Sequence, residues 1–467
     1  QGPAGTTVTL LHAEVLDLLA EYDRRLAAAV DTAGLQAPFI VQNSLPWPRN
    51  DWVRLDQSWR EVRTPAMGYS VVDAEAAGPP PARVFIEASP SLLENDVLRV
   101  AFAPDGSIAS LIDKRLGRDL ITPGGAGNVL AVYADDGDVW DFPTDYRDQE
   151  PHRPELVSAE ARADGSRGVV RQTYRLGRSE IAQDVALMAN GARLDFFTTV
   201  RWREPRTMLR TSFAVTPRAE EATFEIQFGH IRRPTHFNTS WDAARTEVAA
   251  HKWADLSQGD YGVALLNDCK YGHRIKDGVI DLNLLRSVAY PGAAVPPGEE
   301  QASDDPNPHF TDQADHRFRY ALYPHPGDHV AGRVVQAAYE MNVPLRATRL
   351  GAARRPETAG GSRAEPHPPA APLLEPAGSF LELDTPSIVV EAVKRAEEGG
   401  DLILRLYEAD RRGTVAALTF GFDVAGAAEV DLLEEQPTPL QVQNGRQLRL
   451  EFRPFEIKTL RVTPARA

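Results

Sequence analysis

Apolar residues recur every three or four positions from Val8 to Val30, at Leu11, Val15, Leu18, Leu19, Tyr22, Leu26 and Val30. That spacing predicts one face of an amphipathic helix, with Thr6 or Thr7 placed to cap its start and Gly34 to end it. Beyond Gly34 the period changes to two. Phe39-Ile40-Val41 opens a strand, and Leu98, Val100 and Phe102 alternate with Arg99 and Ala101 before a tight turn at Pro104-Asp105-Gly106. Leu194, Phe196, Thr198 and Val200 repeat the alternation, as do Leu402, Leu404 and Leu406. Asp277-Gly278 and Asn444-Gly445 are hairpin turn signals. A short helix capped by Asp328 is predicted between His329 and Met341. Residues 74–83, 291–311 and 352–372 read as loops or linkers from their Pro, Gly, Ala and acid content. One helix followed by many short alternating segments predicts a mainly β chain.

Composition narrows the functional classes. A chain of 467 residues has room for several domains, and 42% hydrophobic with 25% charged residues is a globular balance. No apolar run approaches the roughly 18 residues of a membrane span, which argues against a membrane role. A formal net charge of −15 argues against nucleic acid and leaves neutral sugars open. The single cysteine, Cys269, rules out an internal disulfide and points to a reducing, cytoplasmic setting. As a nucleophile it would need a base and a depressed pKa; the plainer reading is a small buried thiol in a strand. The chain opens on Gln1 without a signal-like segment, so the natural N-terminus and any targeting peptide are expected upstream.

Between Phe224 and Arg286 four Trp or Tyr and four His residues lie among short strands. In order, the text reads RPTH, NTSWD, HKW, DLS, YGVALLNDCKYG and LLRS. This succession resembles the C-terminal part of glycoside hydrolase family 38, the retaining zinc-dependent α-mannosidases, in its cytosolic or vacuolar and bacterial branch. Asn43-Ser44-Leu45-Pro46-Trp47-Pro48-Arg49 and the closing Arg453-Pro454-Phe455-Glu456-Ile457-Lys458-Thr459 extend the resemblance over nearly the whole chain. Gly5-Thr6-Thr7-Val8 resembles the end of a motif whose His binds zinc, which implies that the chain begins just after that ligand.

The resemblance implies a large antiparallel β-sandwich of the galactose-mutarotase-like supersandwich kind, with small flanking β-domains and an N-terminal helical remnant. The expected boundaries are 1–36 for the helical remnant, 37–90 for a small β-domain, 91–350 for the large sandwich, 351–372 for a linker and 373–467 for a C-terminal sandwich. It also implies that zinc and the nucleophilic carboxylate belong to an N-terminal catalytic domain outside this chain. No catalytic residue and no metal ligand is therefore assigned, and zinc is expected only in the complete enzyme.

What this chain is expected to supply is pocket wall. The loop Asp135–Phe142 resembles a family phrase that lies toward the sugar, and Asp138, Trp140 and Asp141 combine an aromatic face with hydroxyl acceptors. Asp138 stands where Pro is common and Phe142-Pro143 where Ala-Trp is common, which removes a second aromatic contact; an acidic surface loop with Trp140 covering the sandwich is the alternative. Asn267, Lys270 and Tyr271, beside Asp268, form a polar cluster at a strand end that the resemblance turns toward the domain junction. Arg233, with Arg232 and His236, offers a guanidinium fork for a sugar or for docking the catalytic domain. His309, Asp312, Asp315, His316, His325 and His329 form the densest His/Asp set, expected to make hydrogen bonds around a strand rather than a zinc site. Asn238-Thr239-Ser240 is a formal glycosylation sequon, read here as chance. The expected partners are a mannose-containing oligosaccharide and the catalytic domain. The alternative function is a non-catalytic carbohydrate-binding or scaffold β-sandwich.

Overall fold

The computed structural model describes residues 3–32, 34–76, 85–141, 143–291, 309–350 and 374–465. Most of the predicted loops 74–83 and 291–311 and all of 352–372 lie outside them, as does Phe142. The chain divides into two units, residues 1–81 with 343–467, and residues 82–342.

In the first unit a helix spans Pro3–Ala29. It starts earlier than the threonine caps imply, with Pro3 at the first helical position, where a missing N–H costs nothing. Leu26 packs beside Val30, Ile40 and Leu350, while Val15, Leu18 and Tyr22 of the same predicted face stay exposed. Gly34 follows with a positive φ of 86°. The adjoining sheet is ordered Arg346–Arg349, Pro38–Asn43, Gly68–Asp73, Ala377–Ser379. Its strands come from both ends of the unit, so residues 343–350, expected in the large sandwich, pair here instead.

The C-terminal segment forms a three-stranded and a five-stranded sheet around Leu404, Leu406, Leu418, Leu448 and Leu460. Asn444 and Gly445 both have positive φ, as the predicted turn requires. The hairpin does not follow. Thr438–Leu440 and Gln447–Phe452 belong to different sheets, and only Gln443 and Gln447 bridge across the turn; the turn carries the chain from one layer to the other.

The second unit is an antiparallel sandwich. Its nine-stranded sheet runs in the order Glu155–Ala163, Arg167–Leu176, Ser179–Met188, Leu194–Arg201, Asp315–Pro326, Tyr261–Asn267, Trp253–Gln258, Glu221–Ile226, Gly229–Pro234. A five-stranded sheet, ordered Val129–Ala134, Thr207–Ala214, Val279–Ser287, Gly272–Lys276, Val248–Ala249, faces it. A meander from Ile86–Ser89 to Arg118–Asp119 adds a further layer, so residues 85–90 join the large unit rather than the small one. One core is shared by all three sheets and includes Leu111, Phe196, Phe213, Leu265, Leu282 and Tyr320. The Asp277-Gly278 turn closes the hairpin as predicted, with Lys276 opposite Val279.

A polar knot crosses this core. The Tyr320 hydroxyl donates to Asn128 Oδ1 at 2.6 Å and accepts from Gln183 Nε2 at 2.8 Å, while Asn128 Nδ2 donates to Gln183 Oε1 at 2.7 Å. Every member is paired, which is what makes burial of these groups tolerable. The predicted short helix spans Val334–Asn342. Asp328 Oδ1 accepts from the amides of Val330 and Ala331, which caps the turn leading into it.

Candidate functional site

The pleat of Thr207–Ala214 sends Thr211 and Phe213 into the core, so Arg210 points to the opposite face of the five-stranded sheet. Asp281, between core residues Ile280 and Leu282, does the same. On that outer face Arg210 Nε donates to Asp281 Oδ1 at 2.5 Å, and a second guanidinium nitrogen donates to Glu247. Arg147 Nη2 donates to the other Asp281 oxygen at 2.6 Å. Burial works against the Arg210 charge, but Asp281 and Glu247 more than offset it and raise its pKa. Tyr146, 1% exposed, lies under the Arg210 guanidinium at 5.1 Å and meets Tyr133 edge-on. This knot pins segment 143–150 to the sheet.

The preceding loop is pinned just as firmly. Asp135 is fully buried and holds Arg286 through two hydrogen bonds, while Arg286 Nη2 also donates to the Asp141 carbonyl. Asp138 Oδ1 accepts from the amides of Trp140 at 2.8 Å and Asp141 at 2.9 Å, and the Asp138 amide donates to the Asp141 carbonyl at 3.0 Å. One oxygen of the Asp138 carboxylate is thus used to shape the loop. The indole of Trp140 is thrown outward, 78% exposed, instead of covering the sandwich.

Asn267 ends a strand of the other sheet and is 1% exposed. Its amide donates to the His251 carbonyl at 2.6 Å and accepts from the Lys270 amide at 2.7 Å, so in this structure it builds the strand end and presents no face to solvent. Lys270 Nζ lies 4.7 Å from the Phe318 ring, and Tyr271 is half exposed beside His251. Arg233 lies over Phe224 at 4.9 Å. One of its terminal nitrogens is buried without a hydrogen bond among the described residues, and burial and Arg245 hold its pKa down. The predicted residues therefore fall in separate segments: Asp138, Trp140 and Asp141 in the loop after Val129–Ala134, Asn267, Lys270 and Tyr271 at the link from Tyr261–Asn267 to Gly272–Lys276, and Arg233 on the edge strand Gly229–Pro234.

Cys269 is not a buried strand thiol; it sits exposed in the turn after Asn267. Partial desolvation and Asp268 push its pKa up to about 12, so thiolate is scarce at neutral pH. The sequon residue Thr239 is the N-cap of helix Ser240–Ala244, in a capping box with Asp242. The His/Asp set is divided along the strand Asp315–Pro326. His316 Nε2 contacts the Asp312 carbonyl at one end, while His325 meets Asp255 at the other. Among the described residues no three His, Cys, Asp or Glu side chains come together as metal ligands. A structural or catalytic zinc needs at least three protein donors on one frame, so the residues of this His/Asp set do not fit the zinc of the expected complete enzyme.

Residues 93–294 match the glycosyl hydrolases family 38 C-terminal domain, and residues 387–460 match its C-terminal beta sandwich domain. The chain belongs to glycoside hydrolase family 38. It contains C-terminal parts of that family. Alpha-mannosidase 2C1 of Homo sapiens is 35% identical over 461 residues, covering 93% of this chain and 41% of the relative. Alpha-mannosidase G of Dictyostelium discoideum is 32% identical, covering 79% of this chain and 32% of that protein. The chain thus spans well under half the length of these relatives. The crystal structure of an alpha-mannosidase from Enterococcus faecalis V583 aligns with a TM-score of 0.71 at 16% identity, over 95% of this chain and 58% of the other, and shows the common fold. No helix among the described residues is long and apolar enough to cross a membrane.

Within this family portion, sequence reasoning missed the Arg210–Asp281–Glu247–Arg147 knot. Its members lie in four separate segments, each with an ordinary strand or loop pattern. The N-cap at Thr239 did have a local signal, Thr followed three residues later by an acid.

Proposed function

We propose that this chain is the β-rich C-terminal portion of a retaining, zinc-dependent α-mannosidase that hydrolyses terminal α-D-mannosides of oligosaccharides. The relatives named alpha-mannosidase support the reaction class. Their greater length supports a catalytic N-terminal domain beyond the part represented here. In this reading the zinc ligands and both catalytic carboxyl groups come from that domain, and a reducing, cytoplasmic compartment suits the single free thiol.

The observation that carries the role of this chain is the exposed Trp140 on its anchored loop. An indole held out from a rigid frame can cover the C–H face of a pyranose, while Asp141 beside it accepts from hydroxyls. Lys270 and Tyr271 are the second candidate contacts, and Arg233 a candidate for docking. The chain orients the sugar and supports the catalytic domain; it does not break the bond. In a polypeptide that joins this chain to the catalytic segment, Trp140→Ala is expected to raise KM for an α-mannoside about tenfold, with kcat changed much less. An unchanged KM would remove Trp140 from the pocket.

A further inference from the structure

The face of the nine-stranded sheet turned away from the core carries a row of polar side chains. Along Glu221–Ile226, Ala222 and Phe224 enter the core, so Glu221, Thr223 and Glu225 point the other way. Thr223 stands opposite Arg232 on one neighbouring strand and Asp255 on the other, and Ser257 continues the row. Glu221, Thr223, Arg232, Asp255 and Ser257, with Gly327, Asp328, His329 and Ala331, line a cleft of about 720 Å³, a size that small-molecule sites occupy.

The floor of the cleft is built rather than incidental. Asp255 is 1% exposed, with its carboxylate held by His325 Nε2 at 2.8 Å and by the Ser257 hydroxyl. His325 is boxed in by glycines. A Cβ on Gly332 would stand 2.1 Å from its Nδ1, and one on Gly262 2.5 Å from its Cε1. His329 lines the wall, 4% exposed, stacked on Trp253 at 5.4 Å and edge-on to His230 at 4.6 Å. Its Nε2 is buried and has no hydrogen-bond partner among the described residues. Burial, partly opposed by Asp255 and Asp328, holds this imidazole below its ordinary pKa, so it is uncharged at neutral pH. A buried polar atom without a partner is destabilising, and this ring stands in the wall of the cleft, where its nitrogens report on what enters.

The charges choose the ligand class. Arg218 and Arg232 face Glu220, Glu221, Asp255 and Asp328 around the cleft, a mixture with a net negative sum. A phosphate or sulfate meets repulsion there. A neutral polyol can donate to the carboxylates and accept from the guanidinium groups without burying a net charge. We propose that this cleft binds a sugar ring, at a second site on the opposite layer of the sandwich from the Trp140 loop.

The test is a titration of the chain with methyl α-D-mannopyranoside, mannobiose and, separately, inorganic phosphate, followed at the His329 imidazole nitrogens by NMR. Saturable shifts with a sugar are expected. Arg232→Ala, at an exposed position, should weaken them roughly tenfold, the loss of one hydrogen bond to a charged group, with an unchanged unfolding midpoint. Trp140→Ala should leave them as they are, which separates this site from the proposed pocket wall. No saturable shift up to tens of millimolar sugar, shifts insensitive to Arg232→Ala, or equal shifts with phosphate would each overturn the proposal.

Discussion

Arg286 and Asp135, 151 residues apart in the chain, meet through hydrogen bonds of 2.6 Å from Nε and 3.1 Å from Nη2. Asp135 is fully buried and Arg286 is mostly so, so removing one partner strands the other away from water. Arg286→Ala is expected to cost about 3 kcal/mol of stability, measured by urea unfolding. The Asp135→Ala and Arg286→Ala pair should be less than additive in a double-mutant cycle. Full additivity would mean that the loop is held by other contacts.

The core knot around Tyr320 makes a second prediction. Burial raises the pKa of this hydroxyl, so it stays protonated and keeps donating to Asn128. Tyr320→Phe deletes the donor and leaves Gln183 Nε2 one acceptor short, at an expected cost of about 1–3 kcal/mol. The urea midpoint should fall with little change in slope.

His273 gives the molecule an acid limit. It is wholly buried, its Nδ1 faces the Tyr271 carbonyl at 3.1 Å, and its Nε2 has no hydrogen-bond partner among the described residues. Burial lowers its pKa to about 4, with Arg210 and Arg233 adding to the shift against the Tyr271 carbonyl and Asp281. The unfolded chain therefore binds this proton more tightly than the folded one. Stability is fully present above about pH 6.5 and is lost as pH falls toward 4, by at most roughly 3 kcal/mol. Comparing unfolding at pH 7.5 and pH 5, His273→Gln should lose less stability on acidification than the parent.

How much of this was legible beforehand follows from what a sequence displays. The helix up to Ala29, the alternating strands and the Asp277-Gly278 turn are local, and local periodicity carries them. The family could be read because its phrases stand in order from Phe224 to Arg286. Contacts such as Asp135 with Arg286 join segments too distant for any spacing rule. Asn267 shows a second limit: residue type says that an amide can bind a sugar, but not that His251 and Lys270 already occupy it. Asn444-Gly445 shows a third. Its dihedrals obey the dipeptide, while the sheets on either side decide whether the turn closes a hairpin or crosses between layers.

The most direct test of the account is release of nitrophenol from p-nitrophenyl α-D-mannopyranoside by this polypeptide alone, with added zinc. The account predicts no turnover above the uncatalysed rate, because it assigns the zinc ligands and the catalytic pair of carboxyl groups to the N-terminal domain. Robust hydrolysis that disappears on chelation would contradict it.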